Sequence, residues 1–167
     1  MASAGAVRDE LRRVLLDPAE AATLEVHGRT KAGVLVPLYL DRDELYAQAG
    51  VRPEAIDFVQ TYDDYPVISL LQLEDLGFCA KGEAPAFVRK HSFTHDGSFP
   101  LNTSGGQLSV GQAGAAGGFL GVVEALRQLT GQAQARQVKD AKLGLVSGFG
   151  MINFDRGLGS GAAILGC

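Results

Sequence analysis

The chain has 167 residues, a length that suits one domain with a buried core. Hydrophobic residues make up 46% and charged residues 20%, which is ordinary for a soluble globular protein, and the net charge is −4 with no basic cluster. This charge argues against nucleic acid or an acidic membrane surface as the main partner, and no apolar run approaches the roughly 20 residues that span a bilayer.

The first 45 residues predict one helix and one strand. Residues 6–17 carry apolar side chains at amphipathic helical spacing. Residues 34–40 predict a strand that Pro37 confines to a sheet edge. The opening segment has no long apolar core, so we expect no signal peptide.

From residue 41 helices and strands alternate. Residues 41–50 predict a short helix with an acidic first turn and a glycine stop, and residues 56–60 predict a strand. Pro66 starts the next helix at its favoured first position, and Gly77 ends it. Apolar residues occupy most sides of this helix, which predicts deep burial. They are Val67, Ile68, Leu70, Leu71, Leu73 and Leu76.

A less regular stretch follows. Residues 81–90 predict a short helix or a loop, and residues 91–100 predict an irregular polar loop. His91 and His95 have the i, i+4 spacing that can bind a metal on a helix, but their polar neighbours favour a surface loop. We therefore predict no metal site.

Many of the 22 glycines lie after residue 97 and precede a helix that ends at Gly131. Clustered glycines indicate tight turns or a backbone that approaches a ligand. The helix carries one predicted apolar face. That face consists of Phe119, Val122, Leu126 and Leu129.

The last elements complete a fold pattern. Residues 143–150 predict a buried strand, 153–157 a loop, and 159–166 a strand of small residues. The order is strand and helix, glycine loop and helix, then two strands. It predicts an α/β domain, a mixed β-sheet with helices packed on it and loops gathered at one edge.

The two cysteines, Cys79 and Cys167, form no CxxC pair. Cys79 follows a helix end and predicts a buried small apolar residue. Two cysteines make no disulfide framework, so we expect a reducing, cytoplasmic setting.

Five stretches occur in a characteristic order: AGVRPEAIDFVQTYDDYPVISLLQLEDLGFC, FPLNTSGG, GQAGAAGG, VEALRQLTGQAQARQV and GFGMINFDRG. Together they resemble the second half of the thiolase superfamily, in its sterol-carrier and lipid-transfer branch. The resemblance covers residues 46–167. It implies a five-layered αβαβα protein of two similar halves, of which this chain supplies the C-terminal one.

Three loops carry the chemistry in this half of that family. The first is Tyr62-Asp63-Asp64-Tyr65 here. Gln112 stands where thiolases have the histidine that activates the nucleophile, and Ser147-Gly148 where they have an acid–base cysteine. Glutamine cannot exchange a proton near neutral pH and serine titrates far above it, so we expect no thiolysis.

YDDYP, GQAGAAGG and the NFDRG loop resemble the thiolase-like aldolases of steroid side-chain degradation. That resemblance implies retro-aldol cleavage of a β-hydroxyacyl-CoA by tyrosines, beside a zinc-ribbon OB-fold partner. The candidate catalytic residues are then Tyr62, Tyr65, Asp63 and Gln112. The aldolase pattern is NYDRG, so Phe154 removes one tyrosine here.

Residues 102–118 can bind a thioester oxygen or pantetheine through backbone amides. The candidate substrate-binding residues are Asn102, Ser104, Gly105, Gly106, Ser147 and Gly148. The alternative for the glycines is close packing of a helix on a sheet. The alternative for the YDDY stretch is an acidic helix cap, with Asp64 as the capping residue.

Residues 1–45 do not continue the resemblance. VHGRTKAGVLVPLYLDRDEL is faintly similar to the opening strand of Nudix hydrolases acting on coenzyme A, but the Nudix signature is absent. We expect an N-terminal extension over residues 1–45, by fusion or rearrangement, and a thiolase C-terminal-like domain over residues 46–167.

Two functions remain open from the sequence. The first is an acyl-CoA-processing subunit, with coenzyme A thioester as substrate and no tightly bound cofactor. The second is a non-catalytic binding or assembly subunit that keeps the fold. In either case we expect a homodimer, or a hetero-oligomer with an N-terminal thiolase half, because a half-thiolase exposes the apolar face that packs on its sister.

Overall fold

The computed structural model describes residues 42–112, 114–153 and 156–167. The helix predicted at residues 6–17 and the strand predicted at residues 34–40 lie outside these ranges, as does Phe154. Five helices and three strands occur in the described ranges. They are α1 (Arg42–Ala49), β1 (Phe58–Gln60), α2 (Pro66–Asp75), α3 (Ala84–Lys90), α4 (Gly106–Val110), α5 (Leu120–Leu129), β2 (Leu143–Asn153) and β3 (Arg156–Gly166).

The strands form one mixed sheet in the order β1-β2-β3. β1 runs parallel to β2, with Phe58 opposite Gly144. β2 and β3 pair antiparallel along most of their length. Gly144 is required beside β1, because a Cβ there would overlap the Phe58 ring. The sheet with its helices confirms the predicted α/β class.

The strand predicted at residues 56–60 is shorter than expected. The Asp57 carboxylate accepts hydrogen bonds from the backbone N–H groups of Lys142 and Leu143, at 2.8 and 2.9 Å. Because the Asp57 side chain binds the backbone at the start of β2, residue 57 does not continue the strand. β1 therefore begins at Phe58.

The predicted helix boundaries agree with the structure. Pro66 occupies the first turn of α2, where its missing N–H is not needed. Gly77 and Gly131 follow the ends of α2 and α5 with φ of 83° and 70°, a left-handed conformation that favours glycine. The glycine-rich stretch is more ordered than predicted, since it contains α4 and a 3₁₀ turn over Gly114–Phe119.

Two apolar clusters lie on opposite faces of the sheet. The first contains Tyr46, Val59, Leu76 and Leu145, and the second contains Phe58, Ala125, Val138 and Val146. Neighbouring strand residues alternate between the clusters, as the two-residue period of a strand requires. Helices α1 and α2 therefore supply one layer and α5 the other. The buried Tyr46 hydroxyl donates to the Leu76 carbonyl oxygen at 3.0 Å, and burial raises its pKa.

The predicted deep burial of α2 is wrong in part, because Val67 is 56% exposed and Leu71 is 42% exposed. The apolar face predicted for α5 is divided. Val122 and Leu129 pack against the core, whereas Leu126 and the preceding Phe119 are exposed. The fully or largely buried residues of α5 are instead Glu124, Ala125 and Gln128.

Within the described ranges no helix is both long enough and apolar enough to cross a bilayer.

Leu145 offers a test of the core. It is fully buried between the strands and helices, so Leu145→Ala should lower the free energy of unfolding by about 2–5 kcal/mol in urea titrations. Leu108→Ala is the matched control, because Leu108 is 58% exposed, and it should change the value by less than about 0.5 kcal/mol. Equal losses in the two variants would contradict the core assignment.

Candidate functional site

The candidate site lies where the chain leaves β1. Directly after the strand, the Gln72 side chain of α2 binds both backbone groups of Tyr62. Gln72 Oε1 accepts from the Tyr62 N–H at 3.1 Å, and Gln72 Nε2 donates to the Tyr62 carbonyl oxygen at 2.6 Å. Gln72 is fully buried, so this clamp fixes the Tyr62 backbone where no neighbouring strand pairs with it.

Ser147 belongs to the same clamp. Its hydroxyl is buried and donates to Gln72 Oε1 at 2.7 Å. The residue at the position of the thiolase cysteine therefore has a structural hydrogen bond. Nothing in its described surroundings activates it as a nucleophile or a base.

Asn102 holds the other side of the chain that leaves β1. Its backbone N–H donates to the Val59 carbonyl oxygen at 2.9 Å. Its side-chain Oδ1 accepts from the Thr61 N–H at 2.7 Å, and its Nδ2 donates to Thr61 Oγ1 at 3.2 Å. Asn102 and the isolated bridge between Val59 and Leu101 thus continue the sheet edge beside β1 and Thr61.

Asp63 joins the chain that leaves β1 to the start of α4. Its Oδ1 accepts a hydrogen bond of 2.7 Å from the Gln107 backbone N–H, and only 5% of Asp63 is exposed. Gly106 packs directly on this carboxylate with φ of 63°, and a Cβ there would overlap the carboxylate oxygens. The Gly105-Gly106 pair is therefore required by a close approach as well as by a left-handed backbone, since Gly105 has φ of 93°.

The Tyr62 hydroxyl meets Gln112. Gln112 Nε2 donates to Tyr62 Oη at 2.8 Å across 50 residues of sequence. Burial and the nearby Asp64 charge raise the pKa of Tyr62 above its usual value, although the Gln112 hydrogen bond opposes them. The phenol is therefore protonated at neutral pH and can act as a hydrogen-bond donor or an acid, but not as a base.

Tyr65 occupies a different environment. It precedes α2 at the N-cap position and is 66% exposed. The predicted capping role of Asp64 is not met in the expected way. Asp64 Oδ1 accepts from the Tyr65 N–H at 2.9 Å, one residue before the helix, rather than from the amides of the first turn.

A small cavity that is partly open to solvent unites most of the predicted residues. Tyr62, Asp63, Asn102, Ser104, Gly106 and Ser147 line it. Gln60, Thr61, Gln107, Gly117, Gly118, Leu120 and Gly121 complete the lining. Tyr65, Gln112, Gly105 and Gly148 were also predicted for the site but are not among the residues that line this cavity.

The sequence did not single out a buried polar network behind this cavity. Glu124 is fully buried on α5 and accepts hydrogen bonds from Thr103, Gln128 and Arg136. Burial pushes the pKa of Glu124 upward, but these hydrogen bonds and the Arg136 charge outweigh it and hold the pKa below its usual value. One feature of the sequence could have indicated this network. It is the pair of polar residues Glu124 and Gln128, four residues apart on an otherwise apolar helix face.

In the described part of the chain, no group of three or more His, Cys, Asp or Glu side chains could hold a metal. His91 stacks on Phe87 with ring centres 4.3 Å apart, and its Nδ1 lies 3.3 Å from Ser98 Oγ. This packing agrees with the predicted loop. Cys79 is half-buried, and burial raises the pKa of its thiol.

Comparison with known proteins identifies the class. The thiolase C-terminal domain-like family matches residues 42–158, and the chain belongs to this family. It is 40% identical to 17-hydroxy-3-oxo-4-pregnene-20-carboxyl-CoA lyase of Mycobacterium tuberculosis over 88 residues, which are 53% of this chain and 22% of the lyase. It is 36% identical to sterol carrier protein 2 of Oryctolagus cuniculus over 106 residues, 64% of this chain and 19% of that protein.

A solved structure agrees with this class. The chain is similar to a chain of the Ltp2-ChsH2(DUF35) aldolase with a TM-score of 0.64 and 32% identity, over 84% of this chain and 34% of that one. The match confirms the thiolase-like fold that the resemblance implied. The chain spans between about a fifth and a third of the length of these three relatives, at 22%, 19% and 34%.

The close approach of Gly106 to Asp63 can be tested by substitution. Gly106→Ala incurs a left-handed backbone penalty of about 1–2 kcal/mol and also displaces the carboxylate. Gly82→Ala is the control, because Gly82 has φ of 84° with nothing within 4 Å of the added Cβ. Urea titrations should show a clearly larger loss for Gly106→Ala, and the excess should shrink when Asp63→Ala is combined with it. Equal losses would mean that the carboxylate contact does not constrain this turn.

Proposed function

We propose that this chain is the C-terminal half of an acyl-CoA-processing enzyme that cleaves a β-hydroxyacyl-CoA by a retro-aldol reaction. The observation that carries the proposal is the Tyr62 hydroxyl, which accepts a hydrogen bond of 2.8 Å from Gln112 and belongs to a residue that lines the cavity together with Asp63. The names of two relatives, a CoA lyase and an aldolase, support the same reaction class.

The proposed reaction needs one proton acceptor and one donor. Asp63 accepts the proton of the β-hydroxyl group. The bond between the α and β carbons breaks, and its electron pair forms the enolate of the thioester while a ketone or aldehyde leaves. Tyr62 donates a hydrogen bond to the enolate oxygen. Return of the proton from Asp63 to the α-carbon gives the shorter acyl-CoA and restores the carboxylate.

The residue types at the site favour this reaction over thiolysis. The Ser147 hydroxyl donates a hydrogen bond to Gln72 Oε1, and the Gln112 amide donates a hydrogen bond to the Tyr62 hydroxyl. Neither side chain can form or activate a thiolate. Asp63 is the charged side chain among the residues that line the cavity, so we assign the base role to it and the donor role to Tyr62. Neither role needs a tightly bound cofactor.

We also propose that a second unit covers this half. Large apolar side chains of α2, α4, α5 and the 3₁₀ turn before α5 are exposed. They are Val67, Leu71, Leu108, Val110, Phe119, Val123 and Leu126. An N-terminal thiolase half or a second copy of the chain would bury them. A zinc-ribbon OB-fold protein is the further candidate partner, in line with the two-part name of the aldolase structure.

The second candidate function is a non-catalytic binding or assembly subunit. Phe154 favours it, because the aldolase pattern has a tyrosine at that place. The fold, the cavity and the exposed apolar residues would serve such a subunit equally well.

Ketone release from a β-hydroxyacyl-CoA separates the two functions. The full chain should release it when co-expressed with an N-terminal thiolase half, with or without a zinc-ribbon OB-fold protein. Tyr62→Phe and Asp63→Asn should each lower kcat by about 100-fold or more, because each removes a proton donor or acceptor. Tyr65→Phe should change kcat by less than about threefold, because the Tyr65 side chain faces solvent.

If no combination releases ketone, and the Phe154→Tyr variant also releases none, the cleavage reaction is refuted and the assembly subunit is favoured. A greater loss of kcat in Tyr65→Phe than in Tyr62→Phe would contradict the donor role of Tyr62 and assign that role to Tyr65.

The proposed second unit can be tested by sedimentation velocity at micromolar concentration. The full chain should self-associate or bind the N-terminal half, and Val123→Lys should weaken that association because it places a charge on the exposed face of α5. Gln48→Lys, on the exposed side of α1, is the control. If the chain sediments as a monomer and does not bind the N-terminal half, the proposed assembly is contradicted.

A further inference from the structure

A buried carboxylate lies directly behind the 102–106 segment of the cavity. Glu124 is fully buried on α5, and its two oxygens have separate partners. Oε1 accepts from Thr103 Oγ1 at 2.8 Å, and Oε2 accepts from Arg136 Nη2 at 3.1 Å. An apolar residue would fill this place at no desolvation cost, so a buried charge here needs a reason other than packing.

Thr103 connects this carboxylate to the cavity. Its neighbours on either side, Asn102 and Ser104, both line the cavity. Besides donating to Glu124, the Thr103 hydroxyl accepts from Gln60 Nε2 at 3.0 Å and from Gln128 Nε2 at 3.1 Å, and Gln60 also lines the cavity. The hydroxyl thus has three partners, and its direction is set by the charge of Glu124.

Gln128 extends the network to the chain after α5. Its Nε2 donates to the Arg136 carbonyl oxygen at 2.8 Å, and its Oε1 accepts from the Val138 N–H at 2.7 Å. The ion pair of Glu124 and Arg136 is therefore built into a rigid segment. A side chain that several hydrogen bonds hold keeps one defined position, and it therefore fixes the position of the residues that it contacts.

We propose that Thr103 and Glu124 are positioning residues, which hold Asn102 and Ser104 in the geometry that the thioester of the substrate requires. This inference rests on the proposed function. Neither residue touches the substrate in it. Their effect passes through the backbone of residues 102–106, which Asn102 also ties to Thr61.

The test uses the complex that releases ketone and compares two matched substitutions. Thr103→Val keeps the shape but removes the hydroxyl, so kcat should fall by about 10- to 100-fold while KM stays within about threefold. Thr103→Ser keeps the hydroxyl and should stay within about threefold of the wild type. Thr130→Val removes a hydroxyl that bonds only the Leu126 carbonyl in the described structure, and it should change nothing.

Amide hydrogen exchange of residues 101–107 provides a readout that is independent of activity. Exchange should accelerate in Thr103→Val and not in Thr103→Ser. Glu124→Gln is the second variant if Thr103→Val does not fold. It keeps an acceptor oxygen for Thr103 but loses the ion pair, and it should show the same fall in kcat to a smaller extent.

Three outcomes would overturn the inference. In the first, Thr103→Val keeps wild-type kcat while exchange accelerates, so that position and catalysis are not linked. In the second, Thr103→Ser loses as much kcat as Thr103→Val, so that the hydroxyl is irrelevant. In the third, the wild-type complex releases no ketone, which refutes the proposed function in the first arm of the experiment and the inference with it.

Discussion

The clamp of Gln72 on the Tyr62 backbone is the interaction on which the site depends. β1 has only three residues, and the chain beyond it has polar backbone groups in a largely buried place. One glutamine amide satisfies both groups of Tyr62 and also receives the Ser147 hydroxyl. Without it, two partly buried backbone groups would lose their partner, at a cost of up to about 1–3 kcal/mol each, and the Tyr62 backbone would be less fixed.

Two further polar side chains at the site are used for structure. The Ser147 hydroxyl donates a hydrogen bond to Gln72 Oε1. Gln112 Nε2 donates a hydrogen bond to the Tyr62 hydroxyl. These two side chains are paired without a cysteine or a histidine, whereas Gln107 Oε1 at the cavity has no hydrogen-bond partner in the described structure. The remaining reactive groups are a neutral phenol and a carboxylate, and both suit proton transfer rather than acyl transfer.

Much of the fold could be predicted because its signals are local. Pro66, Gly77 and Gly131 mark helix ends through backbone geometry that neighbouring residues do not alter. The contact between Tyr62 and Gln112 joins residues 50 apart and has no local signature, so only the family resemblance suggested both residues.

Burial was harder to predict than helix position. Apolar spacing predicted one apolar face for the helix that became α5, but not which of its side chains contact the sheet. Val122 and Leu129 pack against the core, whereas Phe119 and Leu126 are exposed. The network of Glu124 and Gln128 was hidden for the opposite reason, since polar residues on a helix normally indicate a solvated side.

The parallel pairing of β1 with β2 has a consequence for the order of folding. The Asp57 carboxylate binds the N–H of Leu143, 86 residues further along the chain. No part of the sheet can close until β2, which begins at Leu143, has been synthesised, and contacts this distant in sequence form slowly. During synthesis, α1 to α5 therefore emerge from the ribosome before the surface that they cover exists, which exposes their apolar residues to chaperones and to misassembly.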